Sequence, residues 1–357
     1  MQQISRSIIN WYQTNKRDLP WRQTADPYHI WLSEVILQQT RVAQGTAYYY
    51  RFLEKFPTVK KLSQASEDEV LEIWQGLGYY SRARNLHSAA KHIANELDGH
   101  FPSNYEGLLK LKGIGEYTAA AIASFAYHED KAVVDGNVIR VISRLYKIEE
   151  DVRSPKVVGR IKEITQSLLP PGNAYLFNQA LMELGALVCI PRNPSCGTCP
   201  VSTHCESRKA GIQEKIPFKS KLKARRVRFL NYLLVEVDGE VYFKKRGPKD
   251  IWEGLYEPIL FEMDHAFDTP NEFLNGMQPD THIPIESVQV LNLIRATKHI
   301  LSHQELWVTL CHVRLLSKPG FEGGKWVNIS ELDRLPKPVI FSKMMSQKMP
   351  SQLPLVF

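Results

Sequence analysis

Four of the chain's five cysteines, Cys189, Cys196, Cys199 and Cys205, crowd together with the spacing C-x6-C-x2-C-x5-C. No other feature limits the fold as tightly. A secreted disulfide framework would spread its cysteines and use an even number, so a metal loop in a reducing compartment is the better reading. Four thiolates on one compact loop can close around a cubane cluster or a single zinc ion. Structural zinc usually takes two paired knuckles, and here only Cys196 and Cys199 form a close pair. The fifth, Cys311, falls in a stretch expected to be a strand and reads as a buried thiol.

The loop also divides two textures. From residue 4 to about 212 the apolar spacing is helical, as in Trp31-Leu32-Ser33-Glu34-Val35-Ile36-Leu37 and Tyr117-Thr118-Ala119-Ala120-Ala121-Ile122-Ala123. Asp26-Pro27, Phe56-Pro57, Phe101-Pro102 and Pro170-Pro171-Gly172 punctuate it into short helices. Beyond the loop, Lys215 to Arg228 is rich in lysine and arginine, holds Pro217 and lacks an amphipathic period, as a linker would. Tyr232 to Phe243 then reads as two strands around Asp238-Gly239, a strong hairpin signal because both turn positions tolerate positive φ. Leu306 to Val313 is a further strand. The expected organisation is a multidomain chain: an all-α domain over 1–214, a basic linker over 215–227, and a mixed α/β domain over 228–357.

With 357 residues, 43% of them hydrophobic, the chain can build two packed cores. No apolar run approaches the roughly 18 residues of a membrane span, and the N-terminus lacks a basic stretch followed by an apolar one. The expectation is a soluble, cytoplasmic protein. A formal net charge of +7 suits a polyanionic partner.

Leu111-Lys112-Gly113-Ile114-Gly115-Glu116-Tyr117 is a two-glycine hairpin leading into an alanine-rich helix, with amides that can face a phosphate. Val133-Val134-Asp135-Gly136-Asn137-Val138 places an acid at a helix start, where aspartate is also simply a good cap. The hairpin, the carboxylate about twenty residues on and the four-cysteine loop, in that order, resemble the endonuclease III superfamily of helix–hairpin–helix DNA glycosylases. The resemblance runs from residue 4 to 212. It implies a helix–hairpin–helix over 111–122 and a 4Fe–4S cluster held by Cys189, Cys196, Cys199 and Cys205 in the loop 189–205.

Within that superfamily two residues point to the MutY-type adenine glycosylases. Glu34, in Trp31-Leu32-Ser33-Glu34-Val35-Ile36-Leu37-Gln38-Gln39-Thr40, matches the segment carrying their catalytic glutamate. Tyr117 stands where bifunctional relatives carry a nucleophilic lysine, and a tyrosine forms no Schiff base. The implied chemistry uses two carboxyl groups. Adenine leaves readily only when protonated, so Glu34, its pKa raised by apolar neighbours, is expected to protonate N7. Asp135 is expected to stay ionised and stabilise the oxocarbenium-like sugar. By the same resemblance Asn137 and Tyr117 support the two acids, while Arg22 and Glu183 belong to the adenine pocket. Gln39 and Tyr79 match residues that wedge the duplex when the base is flipped out.

The hairpin domain with Trp252-Glu253-Gly254-Leu255-Tyr256-Glu257-Pro258 resembles the MutT/Nudix-like C-terminal domain of the same family. The R-E-x-x-E-E helix of magnesium-dependent Nudix hydrolases is absent between 247 and 330, which argues against pyrophosphatase activity. Lys298-His299-Ile300-Leu301-Ser302-His303 resembles the F-S-H loop in which the serine contacts 8-oxoguanine, with Leu301 where phenylalanine is usual. The resemblance thus implies a monomeric base excision repair enzyme of the bacterial nucleoid, removing adenine paired with 8-oxoguanine or guanine in double-stranded DNA. Ser302 and His303 would read the oxidised base. Two rivals are a bifunctional glycosylase/lyase acting on oxidised pyrimidines and a non-catalytic iron–sulfur DNA-binding protein. The first lacks its lysine at Tyr117; the second would need no carboxylate pair.

Overall fold

Short polar side chains set where several helices begin. Asp26, Thr58, Ser66, Asn104 and Asp135 each accept a hydrogen bond from a backbone amide of the first turn that follows. These amides have no partner inside the helix, so each cap fixes a boundary. In this computed structural model, which describes residues 2–221, 224–281 and 283–345, the helices are α1 (Gln2–Asn15), α2 (Pro27–Leu37), α3 (Val42–Lys55), α4 (Val59–Gln64), α5 (Glu67–Trp74), α6 (Ser81–Glu96) and α7 (Tyr105–Leu108). They continue as α8 (Glu116–Tyr127), α9 (Gly136–Leu145), α10 (Pro155–Leu168), α11 (Ala174–Leu187) and α12 (Glu206–Lys209). Leu222 and Lys223 of the expected linker, and His282 and 346–357 of the expected second domain, lie outside the described residues. Among the described residues no helix is long and apolar enough to cross a membrane.

The chain separates by packing into two units: residues 1–65 with 85–222, and residues 66–84 with 223–357. In the first, Ile8 and Tyr12 of α1, Val138, Val141 and Ile142 of α9, Ile161 of α10 and Phe177, Leu181 and Leu184 of α11 close one core. Cys189, Cys199 and Cys205 pack against that same core, so the cysteine loop is anchored to α9 and α11.

In the second unit the sequence switches to a period of two. Strand β1 (Arg226–Val237) starts inside the stretch expected as linker, because Arg226 and Val227 already pair in parallel with Gln304 and Glu305. The turn Asp238-Gly239, with φ of 49° and 77°, leads into β2 (Glu240–Lys245). The sheet adds β3 (Tyr256–Glu257), β4 (Ile259–Met263), β5 (Gln289–Ile300), β6 (Gln304–Arg314) and β7 (Gly324–Asn328), with β3-β2-β1-β6-β5 as its main order. Its β1–β6 pair is parallel and its other pairs are antiparallel.

Both faces of this sheet are covered, which the alternation along β1 makes possible. Leu230, Tyr232 and Leu234 meet Leu332, Leu335 and Phe341 on one face. Leu233, Val235 and Val237 meet Phe267, Phe273 and Leu274 on the other, beside helix α13 (Pro270–Thr281). Cys311 is buried on that second face, and α14 (Val339–Met345) closes the first.

Candidate functional site

A cleft of about 1360 Å³ opens in the first unit, and it gathers residues from distant parts of the chain. Arg22, Glu34, Gln39, Gly113, Gly115, Tyr117, Asp135, Asn137 and Glu183 all line it. Tyr79, Ser302 and His303 belong to the second unit.

Glu34 sits in α2 among Ile30, Trp31, Leu32, Val35 and Ile36, all buried. It is itself only 6% exposed. Burial raises its carboxyl to about 7; a hydrogen bond from Tyr117 pulls the other way, and the charge of Asp135 adds to the rise. The Tyr117 hydroxyl, delivered by the first turn of α8, donates to Glu34 Oε2. Burial pushes that tyrosine well above its ordinary range, so it is a donor and never a phenolate here.

Asp135 is the N-cap of α9: Oδ1 accepts from the Val138 amide at 2.7 Å, and Oδ2 accepts from Asn137 Nδ2 at 2.7 Å. Burial raises its pKa, while these hydrogen bonds and the Arg140 guanidinium oppose the rise. The bonds that cap the helix also favour the carboxylate form of Asp135. Arg140 Nη2 in turn donates to Asn137 Oδ1 at 2.9 Å and to the Gly185 carbonyl at 2.7 Å, and its Nε reaches the Cys189 carbonyl at 2.7 Å.

Glu183 is fully buried in α11 and held by two arginines. Oε1 accepts from the Arg17 amide at 2.9 Å and from Arg17 Nε at 2.8 Å. Oε2 accepts from Arg17 Nη2 at 2.7 Å and Arg22 Nη2 at 2.8 Å. Burial alone would raise its pKa, but the bonds from Arg17 and Arg22 win and hold it at about 2. Both oxygens of Glu183 are thus occupied by arginine donors. One helical turn earlier, Gln179 lines the same cleft and accepts from the Tyr12 hydroxyl at 2.7 Å.

The hairpin glycines differ in kind. Gly113 has φ +77°, and a Cβ there would come within 2.5 Å of Asn85. Gly115 precedes α8, and a Cβ there would meet nothing within 4 Å, so the helix start faces open space. Gln39 and Tyr79 share another trait: both are non-glycine residues with positive φ, 57° and 47°. Such backbone costs energy and clusters at functional sites. Tyr79 is also 46% exposed, unusual for so large a ring.

In the second unit, Leu301, Ser302 and His303 form the turn between β5 and β6. Leu301 packs inward on the sheet core, whereas Ser302 and His303 are exposed and in contact at 3.1 Å between Oγ and Nδ1. The leucine thus supplies the apolar support of the turn.

In the cysteine loop, Arg144 of α9 is 2% exposed and donates to the carbonyls of Ile190 at 2.7 Å, Pro191 at 2.9 Å and Ile216 at 2.9 Å. It also reaches Cys189 Sγ at 3.4 Å, and its own carbonyl accepts from Cys205 Sγ at 3.3 Å. Burial pushes the Cys199 thiol up to about 11, and the charges of Cys189, Cys205 and Cys196 add to the rise. Among the described residues no three metal-binding side chains converge tightly enough for a single ion.

Sequence reasoning missed Arg17, Arg140, Arg144 and Gln179. Two signals could have found most of them. Asn137, Arg140 and Arg144 lie three and four apart on α9, and Gln179 precedes Glu183 by four on α11, so each set shares a helix face. Arg17 carries no such signal; it lies on an irregular segment.

Comparison with known proteins agrees with this layout. HhH-GPD superfamily base excision DNA repair proteins match residues 32–167, the iron–sulfur binding domain of endonuclease III matches 189–205, and a NUDIX domain matches 231–347. Two proteins named adenine DNA glycosylase from Buchnera aphidicola are each 32% identical, over 85% and 94% of this chain and 84% and 96% of their own lengths. The human adenine DNA glycosylase is 45% identical over 59% of this chain and 40% of its own. A solved thermostable thymine-DNA glycosylase superposes with a TM-score of 0.54 at 30% identity, covering 58% of this chain and 95% of that one. A trapped endonuclease III–DNA covalent intermediate shares the fold at 20% identity, with a TM-score of 0.51. The cofactor of the loop is a 4Fe–4S cluster. With a helical HhH-GPD domain, an iron–sulfur loop and a Nudix-like domain in that order, the chain belongs to the adenine DNA glycosylase family.

Proposed function

We propose that this glycosylase removes adenine mispaired with 8-oxoguanine, and with guanine, from double-stranded DNA, acting as a monomer in the bacterial cytoplasm at the nucleoid. The observation that carries the reading is the carboxyl pair in one cleft: Glu34 is buried and half-protonated near neutrality, while Asp135 is surrounded by donors. An acid beside a carboxylate whose charged form is hydrogen-bonded is what N-glycosidic cleavage needs. Once adenine is flipped into the cleft, Glu34 gives its proton to N7, and the Tyr117 hydroxyl steadies the carboxylate left behind. Asp135, fixed by Asn137 and the Val138 amide, stabilises the positive sugar. Arg22, oriented by Glu183, lines the adenine pocket, and the hairpin at Gly113 and Gly115 holds a backbone phosphate. Gln39 and Tyr79 fill the gap in the duplex, and Ser302 and His303 read the oxidised base.

The same reading divides the chain into a catalytic domain over 1–214, a linker over 215–227 and a lesion-recognition domain over 228–357. Cys189, Cys196, Cys199 and Cys205 would hold the cluster, which fixes the loop and supplies no step of the hydrolysis. The test is single-turnover incubation with duplexes carrying adenine opposite 8-oxoguanine, guanine or thymine. The expected order is 8-oxoguanine, then guanine, with thymine spared, and the product is an abasic strand left intact. Equal cleavage of all three, or efficient borohydride trapping of a DNA–protein adduct, would overturn it.

A further inference from the structure

The residues between Ser66 and Arg84 come from the middle of the helical sequence yet pack with the β-domain. The contact is polar and built at two points. Asp68, on the first turn of α5, accepts from Lys245 Nζ at 2.7 Å and from the Tyr256 hydroxyl at 2.9 Å. The Tyr256 ring carries Lys325 Nζ at 4.0 Å and Lys245 Nζ at 5.6 Å from its centre, so two cations and a ring frame one carboxylate. At the second point Arg84 donates to the Glu253 carbonyl and lies 3.3 Å from the Glu253 carboxylate. Between them Gly254, at φ +80°, comes so close that a Cβ would lie 3.2 Å from Glu67 and 3.7 Å from Leu71.

At its far end α5 holds the loop of Tyr79. Trp74 Nε1 donates to the Gly78 carbonyl at 3.0 Å, and Arg82 Nη2 reaches the same oxygen at 3.3 Å. The Arg82 guanidinium lies over both the Trp74 ring, at 5.0 Å, and the Tyr79 ring, at 5.7 Å. A short helix therefore connects the anchored carboxylate to an exposed, backbone-strained aromatic ring.

We propose that Asp68 and Arg84 are positioning residues for opposing-base recognition: they fasten the Tyr79 loop to the β-domain that carries Ser302 and His303, so that wedge and reader form one rigid body. This rests on the assignment of Tyr79 and Ser302 to the opposing base. Neither Asp68 nor Arg84 touches the cleft of Glu34 and Asp135. Loosening the anchor should therefore reduce the preference for 8-oxoguanine over guanine while leaving the adenine chemistry unchanged.

The test compares single-turnover rates on adenine opposite 8-oxoguanine and opposite guanine for Asp68→Lys, for Asp68→Lys with Lys245→Asp, for Tyr79→Ala and Ser302→Ala, and for Asp68→Lys combined with Tyr79→Ala. A half-exposed ion pair contributes modestly, so Asp68→Lys should lower the rate ratio by about two- to fivefold. The charge swap should restore most of it, and Asp68→Lys should add nothing once Tyr79 is Ala. Hydrogen exchange of the amides from 67 to 84 gives a readout without DNA: Asp68→Lys should speed it, and the swap should slow it again. Unchanged exchange, or a ratio that falls on Tyr79→Ala but not on Asp68→Lys, would overturn the anchor and spare the assignment of Tyr79. If neither Tyr79→Ala nor Ser302→Ala lowers the ratio, the assignment itself fails and the anchor's role fails with it.

Discussion

Glu34 shows how a single residue can be both readable and unreadable in a sequence. Its apolar neighbours announce burial, and burial announces a raised pKa. The hydrogen bond it accepts from Tyr117, across 83 positions, has no local signal in the sequence; only the family resemblance pointed to Tyr117. A pKa near 7 fixes the direction of the pH dependence. Glu34, the proposed proton donor, is protonated below that value, so excision should slow as pH rises through about 7. The folded pKa lies above the ordinary 4.5, so folding too is disfavoured progressively between those values as pH rises. Glu34→Gln should abolish excision at every pH while retaining DNA binding, and should raise the melting temperature relative to the parent at pH 8 but not near pH 4. A single-turnover pH profile with parallel thermal scans checks both. Excision by Glu34→Gln at a near-normal rate would remove Glu34 from the acid's role. Glu183 was less legible: its family match gave the residue, as it gave Arg22, but Arg17, the other arginine on its oxygens, lies on an irregular segment with no periodicity.

At the scale of elements, legibility followed local chemistry. The Asp238-Gly239 turn, the strand over Leu306 to Val313 and the helix starting behind Asp135 were all written in side chains that act on their own backbone. The parallel pairing of β1 with β6 was not, because it joins segments 78 residues apart through carbonyls and amides common to every residue. Close helix approach is similar. Gly185 lets α11 meet the start of α9, and a Cβ there would lie 2.6 Å from the Asn137 Cβ and 3.1 Å from its carbonyl oxygen. Gly185→Ala should therefore shift Asn137, and with it Asp135. Misplacing a catalytic group by a fraction of an ångström costs on the order of tenfold or more in rate. The expected result is a fall in single-turnover rate of about that size with DNA affinity largely retained. A parental rate in a folded Gly185→Ala variant would show that α9 absorbs the methyl without moving its cap.

For the whole molecule, the division of labour is testable by subtraction. Both carboxylates of the cleft lie before the cysteine loop, and the exposed Ser302-His303 turn lies far beyond it. Ending the chain at about residue 220 should spare adenine excision but erode the preference for 8-oxoguanine over guanine, by roughly the 1–3 kcal/mol of a good base contact. Comparing affinities and single-turnover rates on both duplexes measures it, and an intact preference would place all recognition in the helical part. The packing of 66–84 against the β-domain has a further consequence, in time rather than space. Asp68 and Lys245 are 177 residues apart, so the ribosome delivers the carboxylate well before its partner. At about 5–20 residues per second the interval is on the order of ten to thirty seconds. Throughout it the nascent segment must stay soluble without its cover, and the acidic run Glu67-Asp68-Glu69 at the head of α5 is suited to that wait.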